Sequence, residues 1–151
     1  MLVLSSMMLA TSMAWFETSI TAARGVANLQ DELIAFHAAD AALQRCAQRV
    51  LAGTLVVAQP TIDGEPTGWR LSTTFDADAF APIARWSGSV QPPQCLVEAW
   101  RLVSRPAAQA WLVTARGYGR VQESQAWLQL QLVVQDGAVE RHWRRIAARP
   151  F

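Results

Sequence analysis

Lysine is absent from this sequence, so arginine supplies all 13 basic residues. The net charge is only +1, which gives no electrostatic case for binding nucleic acid. Four of the arginines lie close together near the C-terminus: Arg141, Arg144, Arg145 and Arg149. This pattern is typical of a solvated strand edge, where charge discourages pairing between sheets.

Cysteine and histidine are scarce, with two of each, and catalytic motifs are missing. A structural zinc site needs about four ligands with short internal spacings, whereas these four residues lie far apart. No serine stands in a nucleophile elbow, and no glycine-rich phosphate loop precedes a helix. We therefore predict that the chain is not an enzyme and binds no metal or cofactor.

The two cysteines, Cys46 and Cys95, have two interpretations. If the folded part of the chain is exported, they are expected to form a disulfide. Closing a loop of about 50 residues would then add roughly 4 kcal/mol of stability in the chain-entropy estimate. In a reducing compartment they would instead be two buried free thiols.

What the sequence does contain is a long helical stretch, residues 1–51. Its first 16 residues carry no charge, and Glu17 is the first charged residue. Apolar residues then recur three and four apart, as on one side of a helix, and Gly53 is typical of a helix end. At 1.5 Å per residue the helix would be about 75 Å long, too long for one small domain. We expect the recurring residues to pack on a sheet: Leu29, Leu33, Phe36, Leu43 and Val50.

The uncharged segment at the start of this helix has three interpretations. Its 16 residues would span about 24 Å, less than the roughly 30 Å of a bilayer core. We favour a membrane anchor whose first residues are missing because the start codon was placed too late. The alternatives are the apolar part of a cleaved signal peptide, since residues 12–14 fit the small-x-small rule, and a buried helix. The anchor reading predicts lipid or fibre contacts for Leu2, Leu4, Leu9, Met13 and Phe16.

After Gly53 the pattern becomes extended. A short strand is predicted at 55–58 and a helical turn within 76–84. Further strands are predicted at 96–103, 110–115, 126–134 and 139–147, and Asp136-Gly137 indicates a hairpin between the last two. These strands form a meander with one apolar face, which the helix stripe is expected to cover, giving an α+β fold. The seven tryptophans are interpreted mainly as core and cross-strand residues.

This organisation divides the chain into two parts. Residues 1–21 are the transmembrane or fibre-core part of the helix. Residues 22–151 are the head, with a helix at 22–52, a variable loop region at 53–94 and an antiparallel sheet at 95–149. Asp40 lies on the helix among alanines and is expected to be partly buried, so it needs a partner. Arg116 or an open strand-edge amide could supply one.

Two stretches of the sequence resemble the PilX-type minor pilins of Gram-negative bacteria. Residues 22–28 (AARGVAN), running into 35–43 (AFHAADAAL), are similar to that family's helix, in which an arginine-asparagine region precedes an AFxAAEAAL pattern. Asp40 stands at the family's glutamate. Residues 111–119 (WLVTARGYG) look like the family's ITARGxG strand. The chain departs from the family at its start, because it has no basic leader ending in glycine, and a missed upstream start would explain this.

The resemblance implies a type IV pilin-like fold and a low-abundance component of a type IV pilus. Such a protein is held in inner-membrane lipid with its head in the periplasm and is then incorporated into the pilus. Its implied partners are other minor pilins, the major pilin and the pilus assembly machinery, and its implied role is to prime fibre assembly, for example in twitching motility. Two alternatives stay open: a minor pseudopilin of a type II secretion system, and a membrane-tethered periplasmic binding or adhesive domain.

Overall fold

The computed structural model describes residues 2–60 and 63–151, and it describes side chains of the long helix from residue 15 onward. The described elements are α1 (Leu2–Leu51), a 3-10 turn (Gly68–Arg70), α2 (Ser72–Asp78), β1 (Gln94–Trp100), β2 (Gln109–Tyr118), β3 (Gln125–Gln135) and β4 (Ala138–Ile146). The strands form one antiparallel sheet in the order β1-β2-β3-β4, and α1 packs on it. The fold is α+β, which confirms the predicted class.

α1 is 50 residues long and ends where the sequence predicts. Gly53 has a φ of +67°, a conformation that glycine adopts without strain. Its amide donates to the carbonyl oxygen of Val50 at 3.0 Å, and the amide of Thr54 donates to that of Arg49 at 3.0 Å. These bonds satisfy carbonyl groups that the last turn would otherwise leave unpaired.

The N-terminal part of α1 carries the residues predicted to contact lipid or the fibre core. Leu2, Leu4, Leu9 and Met13 belong to the helix, but their side chains fall outside what the structure describes. Phe16 is described and is exposed. Among the described residues, no helix combines the length and the apolarity needed to cross a bilayer.

The sheet follows the predicted meander. Asp136 and Gly137 have φ values of 52° and 81°, the left-handed pair that a two-residue hairpin between β3 and β4 requires. The predicted strand at 55–58 is wrong, because this segment joins no sheet. Instead, Phe80 forms an isolated bridge to Cys95 on the outer edge of β1, and Gly64 forms one to Arg101, the residue after β1. The predicted turn of helix within 76–84 lies earlier, in α2.

α1 approaches the sheet through small side chains. Ala35, Ala38, Ala39, Ala42, Cys46 and Ala47 are buried, together with the predicted contacts Leu43 and Val50. Phe36 is half-buried and packs against this core. The expectation that Leu29 and Leu33 also pack on the sheet is wrong, since they are 61% and 56% exposed. The alanines centre the buried face of α1 on another side of the helix, and Leu29 precedes the first residue of α1 that meets the sheet.

The opposite face of the sheet also carries a core, which the one-sided meander did not predict. Trp69, Phe75 and Trp127 are buried there, and Phe151 packs against them. The ring centroids of Phe75 and Trp127 are 5.0 Å apart. The 3-10 turn, α2 and the last residues therefore form a third layer over β1–β3, with the sheet between this layer and α1.

A disulfide joins Cys46 in α1 to Cys95 at the start of β1, so the free-thiol interpretation is wrong. Both residues are fully buried, and their Cα atoms are 6.8 Å apart. The bond ties the last turns of the helix to the first strand of the sheet and encloses the loop region between them.

Candidate functional site

Large apolar side chains are exposed along the part of α1 that precedes the sheet, which we call the free half of α1 (residues 15–30). The exposed residues there are Trp15 (79% exposed), Phe16, Ile20, Val26 and Leu29, and Leu33 continues the series. At about 100° per residue, Trp15, Val26 and Leu29 lie on one side and Phe16 and Ile20 on another. A helix that is apolar on more than one side is typical of a buried position, so this surface is a candidate docking site.

Two charged residues interrupt this apolar surface. Glu17 and Arg24 are the only ionisable residues of the free half. Neither side chain has a hydrogen bond or ion pair within the described part of the chain. Along the helix they lie about 10.5 Å apart, too far for a direct bond between them.

Two glycines of β2 and its following turn fix the point where α1 leaves the sheet. A Cβ atom at Gly117 would overlap the carbonyl oxygen of Ala35 and the amide nitrogen of Ala39. A Cβ atom at Gly119 would lie 2.7 Å from the carboxylate of Asp31. Glycine therefore lets the two backbones touch at Gly117. Gly117 and Gly119 are the two glycines of the stretch 111–119. A side chain at either position would overlap atoms of α1, which explains why glycine stands there.

Hydrogen bonds and an ion pair hold the same crossing. The amide of Arg120 donates to the Asp31 carboxylate at 2.5 Å. Arg145 of β4 donates to Glu32 at 2.5 Å, and its guanidinium also lies over the Phe36 ring. The free half of α1 thus starts from a defined anchor at Asp31 and Glu32, which gives it a fixed direction relative to the head.

Arg116 lies on the other face of the sheet, because side chains alternate along a strand and Gly117 faces α1. It is only 8% exposed. Its guanidinium stands 4.7 Å from the ring centre of Phe75 and 5.2 Å from that of Trp127. It donates to Gln94 Oε1 at 2.6 Å and to Asp76 Oδ1 at 3.2 Å. Arg116 therefore holds α2 on the sheet, as a cation enclosed by aromatic rings.

Asp40 is not bonded to Arg116, one of the two partners suggested for it, because Arg116 is bonded to Gln94 and Asp76. It is half-buried on α1 and has no hydrogen bond or ion pair among the described residues. With Leu33, His37 and Trp86 it lines an open hollow of about 650 Å³ beside the helix. The hollow is shallow and mainly apolar, and it continues the exposed apolar surface of α1 toward the head.

Glu98 is the titratable group with the clearest structural role. Its carboxylate accepts hydrogen bonds from the amides of Gly68 at 2.9 Å and Trp69 at 3.3 Å, at the start of the 3-10 turn. Burial raises the pKa of Glu98 above 4.5, and the two amide bonds partly oppose that rise.

In the described part of the chain no three histidine, cysteine or acidic residues are placed to hold a metal ion.

The geometry defines an α+β protein in which a rigidly anchored helix projects an apolar surface beyond its sheet. Comparison with known protein families, with curated proteins and with solved structures finds no match to any of them.

Proposed function

We propose that this chain is a PilX-type minor pilin, a structural subunit that primes type IV pilus assembly and is incorporated in the pilus. The observation that carries the proposal is the exposed apolar surface on the free half of α1, attached at a fixed angle to a disulfide-linked α+β head. The stretches that resemble that family lie in the free half of α1 (22–28), in the part of α1 that packs on the sheet (35–43), and in the strand against which it packs (111–119).

The mechanism follows from the solvation of α1. Burying a large apolar side chain is worth about 1.5–3 kcal/mol, so four such residues amount to on the order of 8 kcal/mol. Lipid supplies that environment before assembly, and the helices of other minor pilins and of the major pilin supply it afterwards. The head stays in the periplasm, where the disulfide can form. The assembly machinery would then draw the helix from inner-membrane lipid into the fibre.

A charge on the free half tests the proposal. Val26→Asp places a carboxylate on the exposed side of α1 without touching the sheet. We expect it to abolish co-purification with other pilins and to reduce piliation, while the melting temperature of the head changes little. Val103→Asp, at an exposed position of the head, is the matched control and is expected to leave both unchanged. Normal assembly of the Val26→Asp protein would contradict the proposal.

Charged substitutions at Leu9 or Met13 test the membrane part of the same mechanism. We expect them to release the protein from the inner-membrane fraction, because an unpaired charge is costly in hydrocarbon. Mass spectrometry of the native N-terminus provides an independent check: residues upstream of Met1, after a basic leader ending in glycine, are expected. A pseudopilin of a secretion system would share this behaviour and is distinguished by the genes that neighbour it.

A further inference from the structure

The outer edge of β1 has main-chain groups that the head leaves unpaired. The amide of Phe80 donates to the carbonyl oxygen of Cys95 at 3.0 Å, and the amide of Cys95 donates to that of Phe80 at 2.8 Å. Cys95 therefore directs its main-chain groups away from β2, and the alternation along an antiparallel strand directs those of Val97 and Ala99 the same way. No described residue bonds to the outward main-chain groups of Val97 or Ala99.

The segments that flank this edge cannot extend along it. Gly64 forms a bridge to the residue that follows β1. Continuing that pairing by two residues would bring Pro66 opposite Ala99, and proline has no amide proton to donate. At the other end, the chain reaches Phe80 from α2, so no strand leads up to that bridge. The edge is therefore open over residues 96–100, about 17 Å of extended strand.

A groove of about 560 Å³ lies along the open edge. It is lined by residues 96–99 of β1, by the segment 56–60 and by residues 66–68. Two carboxylates, those of Asp78 and Glu98, also belong to its lining, and the described lining includes no arginine or histidine. The side chain of Asp78 has no ion pair within the described part of the chain. The groove therefore combines free main-chain donors and acceptors with negative charge.

The two edge strands of the sheet differ in how they are protected against pairing. β4 carries four charged residues, and such charges discourage the addition of another strand. They are Glu140, Arg141, Arg144 and Arg145. β1 carries one charged residue, Glu98, whose carboxylate is bonded to the amides of the 3-10 turn. Val97 and Ala99 bring no charge to their edge, so pairing there is not opposed.

We propose that the open edge of β1 binds an extended segment of a partner protein as an added antiparallel strand, with a basic side chain opposite Glu98. Both flanking bridges are antiparallel, which favours this direction. Residues opposite Val97 and Ala99 would exchange amide and carbonyl hydrogen bonds with them. Val97 packs with the core on the α1 side, so apolar side chains fit opposite these two residues. The side chain opposite Glu98 lies on the other face, near both carboxylates, where arginine or lysine fits.

A designed peptide with this pattern tests the site. The probe is the pentapeptide acetyl-Thr-Val-Arg-Val-Thr-amide, added to the full chain in detergent micelles. Fluorescence anisotropy of the labelled peptide measures binding, and hydrogen exchange followed by NMR reports on the amides of Val97 and Ala99. We expect both amides to exchange readily in the free protein and to become protected when the peptide binds. Protection that already exists without peptide, or binding that leaves both amides unprotected, would overturn the proposal.

Altered peptides and variants separate the hydrogen bonds from the charge. Methylating both valine amides removes the donors to Val97 and Ala99 and is expected to weaken binding by at least about tenfold. Asp78→Asn is expected to weaken it about threefold, whereas Glu123→Gln, the same change at an exposed turn outside the groove, leaves it unchanged. No binding, or equal affinity of the methylated peptide, would overturn the proposal. The Val26→Asp protein should bind the peptide normally, so this site and the proposed function are tested separately.

Discussion

Gly117 is the residue at which the backbone of β2 lies against the backbone of α1, so Gly117→Ala is the sharpest test of how the helix is seated. The added methyl group would meet the carbonyl oxygen of Ala35 and the amide nitrogen of Ala39. No rotamer change can relieve this overlap, because both atoms belong to the main chain. The helix must therefore move away from the sheet and loosen the packing of its buried alanines.

Overpacking of a well-packed core typically costs 1–3 kcal/mol, and a rigid backbone neighbour favours the upper end, about 3 kcal/mol. For a chain of this size that loss corresponds to a fall of roughly 6–12 °C in melting temperature. The assay is thermal and denaturant unfolding followed by circular dichroism. Gly25→Ala is the matched control, since nothing lies within 4 Å of a Cβ atom there and alanine is the better helix former. If the Gly117→Ala protein has the same melting temperature as the wild type, the inferred backbone contact between Gly117 and α1 is wrong.

Three further predictions concern the head. Replacing Cys46 and Cys95 by serine is expected to lower the free energy of unfolding by about 4 kcal/mol in denaturant titrations, and an unchanged midpoint would contradict the loop-closure argument. The pKa of Glu98 is raised on folding, so the protonated carboxyl group stabilises the folded state. This contribution is present below about pH 4.5 and is lost as the pH rises through the folded-state pKa. Glu98→Gln should flatten the pH dependence of stability, and an unaltered profile would count against this. Arg116→Lys should cost about 2 kcal/mol and change the tryptophan fluorescence, because lysine cannot make the same forked and stacked contacts, whereas Arg120→Lys should be neutral.

Local patterns in the sequence predict local structure well here. Asp136-Gly137 specifies a hairpin because few other residues accept two successive left-handed conformations. Gly53 ends α1 for a related reason. The disulfide is an expectation that depends on export, and the structure places Cys46 and Cys95 close enough to form it.

Longer-range packing is where prediction from sequence fails. The spacing of Leu29 and Leu33 indicates a helix side, but it does not say where along the helix the sheet begins. Gln129 illustrates a second failure: its polarity indicates solvent, yet it is fully buried, donates to Thr114 Oγ1 at 2.9 Å and accepts from Arg144 Nε at 2.7 Å. Such partners come from neighbouring strands, and only the assembled register brings them together.

The position of the disulfide has a mechanical consequence. A tension applied along α1 reaches Cys46 before the helix ends and passes through the sulfur bridge directly to Cys95 and the sheet. The two cysteines are 49 residues apart in sequence, and a fully extended chain of that length would span roughly 170 Å. Such a force cannot extend this segment while the disulfide is intact. Residues 53–94 therefore lie off the covalent path that joins α1 to β1. Their exposed positions can vary without weakening that link, whereas Trp69 and Phe75 remain constrained by the core that they form on the sheet.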